Sequence, residues 1–229
     1  MGGRIGATAR DARYLETLGF DFLVEGEHVV RGDPPGPSSM TIPTLAVAAG
    51  ATEKILLVSG VLLAPLYHPV MLAKLLAVLD RASGGRLIVG VGVGGEFPVE
   101  VQALGVPVGE RGGRTNESLE IIRKLWTREE VDYQGRYYHL ERVTLNPPPI
   151  QKPHPPVWVA GRREAAMKRA ARYGDGWFPY LYSPEKLEKS INTIKDFSRK
   201  DERDISHFQW GILLFGVFDG DRDKATDLA

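Results

Sequence analysis

The run Arg86-Leu87-Ile88-Val89-Gly90-Val91-Gly92-Val93-Gly94-Gly95 is where two α/β architectures part. Its first half is apolar without a break, as a strand of a parallel sheet buried on both faces requires. Its second half satisfies G-x-G-x-x-G at Gly90, Gly92 and Gly95. In a dinucleotide-binding sheet a helix opens on those glycines, and a second strand ends in an acid ~20 residues later. Here Glu96-Phe97-Pro98 follows, then an irregular stretch around Gly105 to Gly113, and Glu110 sits in a Gly-Glu-Arg-Gly-Gly loop. The nicotinamide-dinucleotide reading is disfavoured. Glycines at a strand's C-terminal end then signal close approach of the backbone to a ligand or to a neighbouring strand.

Upstream of that run the order is helix, strand, helix. A helix begins at Pro69, apolar nearly all round (Val70, Met71, Leu72, Leu75, Leu76, Val78, Leu79), and closes on Gly84 and Gly85. Before it lies an apolar strand, Ile55 to Leu63, and before that a small helix started by Thr41 and Pro43 after the loop Arg31 to Ser39. The first strand, Phe20 to Val24, ends on Glu25-Gly26-Glu27-His28. The first helix is capped by Thr8, presents Tyr14, Leu15 and Leu18 as its apolar face, and stops at Gly19.

Downstream, an insert of about 95–156 interrupts the rhythm. It holds one amphipathic helix, Thr115 to Trp126, with Glu120 and Lys124 spaced for an i,i+4 pair. A hairpin (Val131 to Tyr138) and a proline-rich connection (Asn146 to Pro156, taking in His154) complete it. Alternation resumes with a strand Val157 to Ala160, a helix Glu164 to Tyr173, a strand Gly176 to Pro179, a helix Pro184 to Ser198 and a strand Phe208 to Phe218. Six strands with helices between them predict a parallel sheet with right-handed crossovers. A closed (β/α)8 barrel takes ~250 residues. A strand before Thr8, and another after a helix beginning at Asp221, would complete eight; an open doubly wound sheet of six needs no additions.

Composition removes several classes. Lys+Arg and Asp+Glu both number 29, so no net charge invites nucleic acid or an anionic membrane. Cysteine is absent, which removes disulfides, thiolate metal sites and cysteine nucleophiles. No apolar run approaches the ~20 residues of a membrane span, so a soluble, cytoplasmic protein is expected. The histidines lack zinc-ligand spacing, and no Ser/His/Asp elbow or phosphate-loop lysine is present, so no metal is predicted.

Three stretches carry chemistry. Gly60 sits inside an apolar strand, Ser59-Gly60-Val61, where glycine costs stability and marks a bulge. In Val159-Ala160-Gly161-Arg162-Arg163, a tight turn leads into a helix whose first amides suit a phosphate, with arginine charge beside them; two solvated loop arginines explain it equally well. Glu27-His28 puts titratable groups at a strand end, where barrel active sites lie.

In order along the chain, several segments resemble the luciferase-like monooxygenase superfamily, in particular its oxidoreductases that use the deazaflavin coenzyme F420. They are Leu18-Gly19-Phe20-Asp21 with Glu27-His28, Ser59-Gly60-Val61 with His68-Pro69, Leu79-Asp80, Ser83-Gly84-Gly85-Arg86, and Gly90 to Gly94. Arg111 to Glu117, Leu125-Trp126, Pro153 to Gly161 and Arg169 to Trp177 continue the set. The resemblance implies a single (β/α)8 TIM-type barrel domain over 1–229, lacking its first and last strands, and hydride transfer from reduced F420 to a small molecule. It implies a bulge at Ser59, Gly60 and Val61 behind the cofactor ring, often with a non-proline cis peptide. It implies phosphate binding by the amides of Ala160, Gly161 and Arg162, and a pocket lined by Gly92 and Trp177. His28 is the implied proton donor or ring-orienting group, with Glu27 its companion. The alternatives are an FMNH2-dependent monooxygenase, with FMN in place of F420 as the cofactor, and a truncated, inactive barrel remnant. A homodimer is expected, because unpaired sheet edges favour association.

Overall fold

A computed structural model describes residues 9–30, 36–214 and 224. In chain order its elements are α1 (Ala9–Thr17), β1 (Phe22–Glu25), α2 (Thr41–Ala51), β2 (Leu56–Ser59), β3 (Leu62–Leu63) and α3 (Pro69–Ala82). They continue with β4 (Leu87–Gly92), α4 (Pro98–Ala103), α5 (Arg111–Thr127), β5 (Val131–Gln134) and β6 (His139–Val143). The last are β7 (Val157–Val159), α6 (Glu164–Tyr173), β8 (Gly176–Trp177), α7 (Pro184–Lys200) and β9 (Gln209–Trp210).

The main sheet runs β1-β2-β4-β7-β8-β9, with β3 continuing the path of β2 against β4. Every pairing in it is parallel. The order never reverses. A doubly wound sheet reverses at the switch point where it binds its ligand, whereas a barrel winds in one direction. The fold is therefore an α/β half-barrel of the (β/α)8 type, with six strand positions among the described residues. Continuous apolar strands follow from this. Leu57, Leu87, Val89, Val91, Val157 and Val159 are buried against helix residues such as Leu45, Leu72, Leu76, Leu119, Ile122 and Met167.

Several boundaries differ from the sequence reading. The strand over 55–63 is two, because the chain is interrupted at Gly60 and Val61, whose peptide bond is cis. The insert is more helical than expected: α5 starts at Arg111, and α4 and a 3-10 turn (Val108–Glu110) precede it. Its hairpin reaches Val143. His154 does not lie in an open linker but is buried against Trp126, with ring centroids 6.0 Å apart. Tyr14 and Leu18 do not face the core; they are 63% and 56% exposed, while Ala12 is the buried residue of α1. Periodicity locates an apolar stripe without saying whether anything covers it. The Thr8 cap, Phe215 to Phe218 of the last strand, and the helix from Asp221 (Lys224 apart) lie outside the described residues. No described helix is long and apolar enough to cross a membrane.

Candidate active site

The C-terminal strand ends gather most of the singled-out residues on one rim. After β1 the chain passes Gly26, Glu27 and His28; the β2–β3 interruption brings Gly60 and Val61 beside it. The Gly60 N–H donates to the Glu25 carbonyl at 2.7 Å. The Ser59 hydroxyl, buried, donates to the Gly90 carbonyl at 2.9 Å. These two bonds hold the interrupted strand between β1 and β4. A Cβ on Gly90 would overlap the Ser59 carbonyl oxygen, and one on Gly92 would lie 2.7 Å from Val61 Cγ2. Gly90 and Gly92 of the G-x-G-x-x-G run thus make room for the neighbouring β2–β3 segment. Gly94 and Gly95 have positive φ, and no helix opens on them, as a dinucleotide fold would require.

Glu27 and His28 are neighbours in sequence with different surroundings. Glu27 is buried; it accepts from the Tyr67 hydroxyl at 2.6 Å and from the Leu63 N–H at 2.9 Å. Burial outweighs those two bonds and raises its carboxyl above the ordinary range. Its place is behind the rim, bracing β3. His28 is half-buried at the mouth, with Phe97 edge-on at 4.9 Å between ring centroids. Its Nδ1 lies 3.3 Å from Glu100 Oε2 and its Nε2 3.7 Å from Glu96 Oε2.

The rim continues through Glu96. The Tyr180 hydroxyl donates to Glu96 Oε1 at 2.9 Å, and the Arg162 guanidinium stands 4.5 Å from the centre of the Tyr180 ring. Burial, and after it the Glu96 carboxylate, push the Tyr180 hydroxyl above the ordinary phenol range. His28, Glu96, Tyr180 and Arg162 therefore link the ends of β1, β4, β8 and β7 in one series of contacts. Sequence reasoning missed Glu96, Glu100, Tyr67 and Tyr180. The acids sit some seventy residues from the histidine they meet, and no local pattern marks such a pair.

At the β7 end the amides divide. The Ala160 N–H is spent on the Val91 carbonyl at 2.8 Å, so it continues the sheet and is not offered outward. Gly161 turns the chain at φ +120°, and α6 begins with Arg163 as an N-cap that makes no side-chain cap. Trp177 does not line the mouth. It is fully buried, and its indole N–H donates to the Gly161 carbonyl at 3.0 Å, fixing the turn from behind. An uncapped helix start beside the Arg162 cation fits the donor chemistry of a phosphate-bearing ring cofactor. Among the described residues no group of acids and histidines is gathered to hold a metal ion.

Comparison with known proteins shows the family to which this fold belongs. The chain is 31% identical over 187 residues to the FMNH2-dependent dimethylsulfone monooxygenase of Pseudomonas putida, covering 80% of this chain and 51% of that protein. It is 29% identical over 220 residues to the F420-dependent glucose-6-phosphate dehydrogenase of Nakamurella multipartita, covering 92% and 63%. The solved structure of an F420-dependent secondary alcohol dehydrogenase in complex with an F420-acetone adduct superposes with a TM-score of 0.85 at 25% identity, over 99% of this chain and 73% of that one. The chain thus spans about half to two-thirds of the length of these curated relatives. The family model of the luciferase-like monooxygenases matches residues 2–229, and the chain belongs to that family.

Proposed function

We propose that this chain is an oxidoreductase that binds reduced coenzyme F420 at the C-terminal strand ends and reduces a small organic substrate by hydride transfer. The observation that carries the reading is the single rim formed by His28, Gly60, Val61, Glu96, Tyr180 and Arg162. The bound cofactor supplies the hydride chemistry; the protein supplies position and electrostatics. Gly60 and Val61 back the ring, and the amides of Gly161, Arg162 and Arg163, with the Arg162 charge, hold the phosphate. His28 holds or moves a proton at Nε2 beside the substrate. Glu27, Ser59, Gly92 and Trp177 keep this wall in place.

The F420-dependent dehydrogenase aligns with 92% of the chain against 80% for the FMNH2-dependent enzyme, which favours the deazaflavin. A second reading, an FMNH2-dependent monooxygenase, is favoured by the slightly higher identity to the latter. On either reading residues 1–229 act as one barrel domain with its insert, in the cytoplasm, as a homodimer on a small molecule.

Titration of the chain with F420 and with FMN, followed by fluorescence, separates the readings. Saturable F420 binding at micromolar concentration is expected. It should weaken by about tenfold or more in Gly161→Val, where a Cβ would stand 2.8 Å from Ala166 Cβ at a φ unsuited to side chains. FMN binding alone selects the second reading. Binding of neither overturns both and leaves an inactive remnant.

A further inference from the structure

We infer that Glu100, on α4 of the insert, is the positioning residue for His28: it fixes the ring's tautomer with the proton on Nδ1, so that Nε2 is the nitrogen turned to the mouth. This deepens the proposed function and rests on it only for what Nε2 meets; the tautomer itself does not depend on that reading.

Glu100 is 1% exposed, although it is an acid on a six-residue helix at the rim. Each of its oxygens is committed to a neighbour of its own. Oε1 accepts from the Val29 N–H at 2.6 Å, and Oε2 lies 3.3 Å from His28 Nδ1. A carboxylate can only accept, so the ring nitrogen facing it must carry a proton. The His28 N–H donates to the Ser39 carbonyl at 3.1 Å, which fixes the backbone, and Phe97 closes one edge of the ring. The remaining nitrogen points toward Glu96, which is 58% exposed and open to water. A buried carboxylate behind an imidazole, with the other nitrogen outward, is the arrangement by which such a pair fixes which nitrogen reacts. A simple tether of α4 to the β1 loop would need only the bond from Val29.

Glu100→Gln separates the two roles. Glutamine keeps an acceptor oxygen for the short Val29 bond, so the tether survives. Its amide nitrogen then faces His28 Nδ1 as a donor, which requires that ring nitrogen to be unprotonated and moves the proton to Nε2. The measurement is imidazole nitrogen–proton correlation NMR at alkaline pH, with the His28 signals among the five histidines identified by their loss in His28→Gln. The expected result is an Nδ1–H ring in the wild type and an Nε2–H ring in Glu100→Gln. A wild-type Nε2–H ring, or a tautomer unchanged in the variant, overturns the inference. If Glu100→Gln does not fold, the wild-type spectrum alone decides. The F420 and FMN titrations are run on the same samples. Inversion without binding of either cofactor refutes the proposed function and leaves the role of Glu100 standing. Binding without inversion does the reverse.

Discussion

Gly90 shows how little space separates the strands beneath the rim. The atom that its missing Cβ would strike is the Ser59 backbone carbonyl, not the end of a flexible side chain. Gly90→Ala therefore forces β2 and β4 apart, and overpacking of this kind costs about 1–3 kcal/mol. It should appear as a lower urea midpoint with an unchanged slope. Gly50→Ala, in α2 with nothing within 4 Å of the added carbon, is the control and should be neutral or stabilising. Equal midpoints for the two variants would refute the close approach. The glycine run announced a backbone contact, but a ligand and a neighbouring strand demand the same missing Cβ, and only the fold tells them apart. Glu27 and His28 teach the same lesson. Their place at a strand end was legible; the division between a brace and a rim residue was not, because it depends on Tyr67, Leu63 and Glu100, which folding brings in from elsewhere.

At the scale of elements, helices are fastened by single polar residues at their ends. Arg86 donates to the carbonyls of Ala49, Thr52 and Ile55 at 3.0, 2.9 and 2.9 Å, closing the C-terminal end of α2. Asp80 accepts from the Ile150 and Gln151 amides at 2.7 and 3.0 Å and ties α3 to the end of the insert. Glu16, in the last turn of α1, accepts from the N–H groups of Glu53, Lys54 and Ile55 at 3.0, 2.6 and 2.9 Å. Those amides, Ile55 first, hold its carboxyl below the ordinary range. A folded value below the unfolded one, about 4.3, gives stability that is present above the unfolded value and lost as pH falls through the folded one. Glu16→Gln should therefore lower Tm by a constant amount from neutral pH down to about 5, with the gap closing below about pH 4. A gap that does not narrow on acidification would show that the amides do not favour the ionised form. Periodicity located α6 at its observed bounds, Glu164–Tyr173. It missed the start of α5, because Gly112 and Gly113 read as loop. The helix keeps them because Arg169 and Tyr137 pack where their side chains would be, so tertiary contact overrides local propensity.

For the molecule as a whole, the consequence of winding in one direction is a trough. Among the described residues β1 and β9 are the two ends of the sheet, and each pairs on one side only. Along β1 the faces alternate: Leu23 is 3% exposed under the helices, while Phe22 and Val24 are 43% and 42% exposed on the concave side. Phe22 meets Trp158 at 6.1 Å between ring centroids, and Trp210 on β9 is also exposed. In a closed barrel these inward positions form a packed core. An apolar trough flanked by unpaired edges instead favours association, through the face and through strand addition. The isolated chain should therefore run above its monomer mass by light scattering and bind a hydrophobic dye. Replacing Phe22 and Val24 together by lysine should move it toward the monomer and reduce dye binding, since a charged edge strand resists pairing. Both residues lie on the concave face, away from the Glu16 and Arg86 clamps that hold the helices, so the variant tests association without loosening the helix layer. A wild type that is monomeric and does not bind dye would overturn the association and show that the trough is not open to solvent.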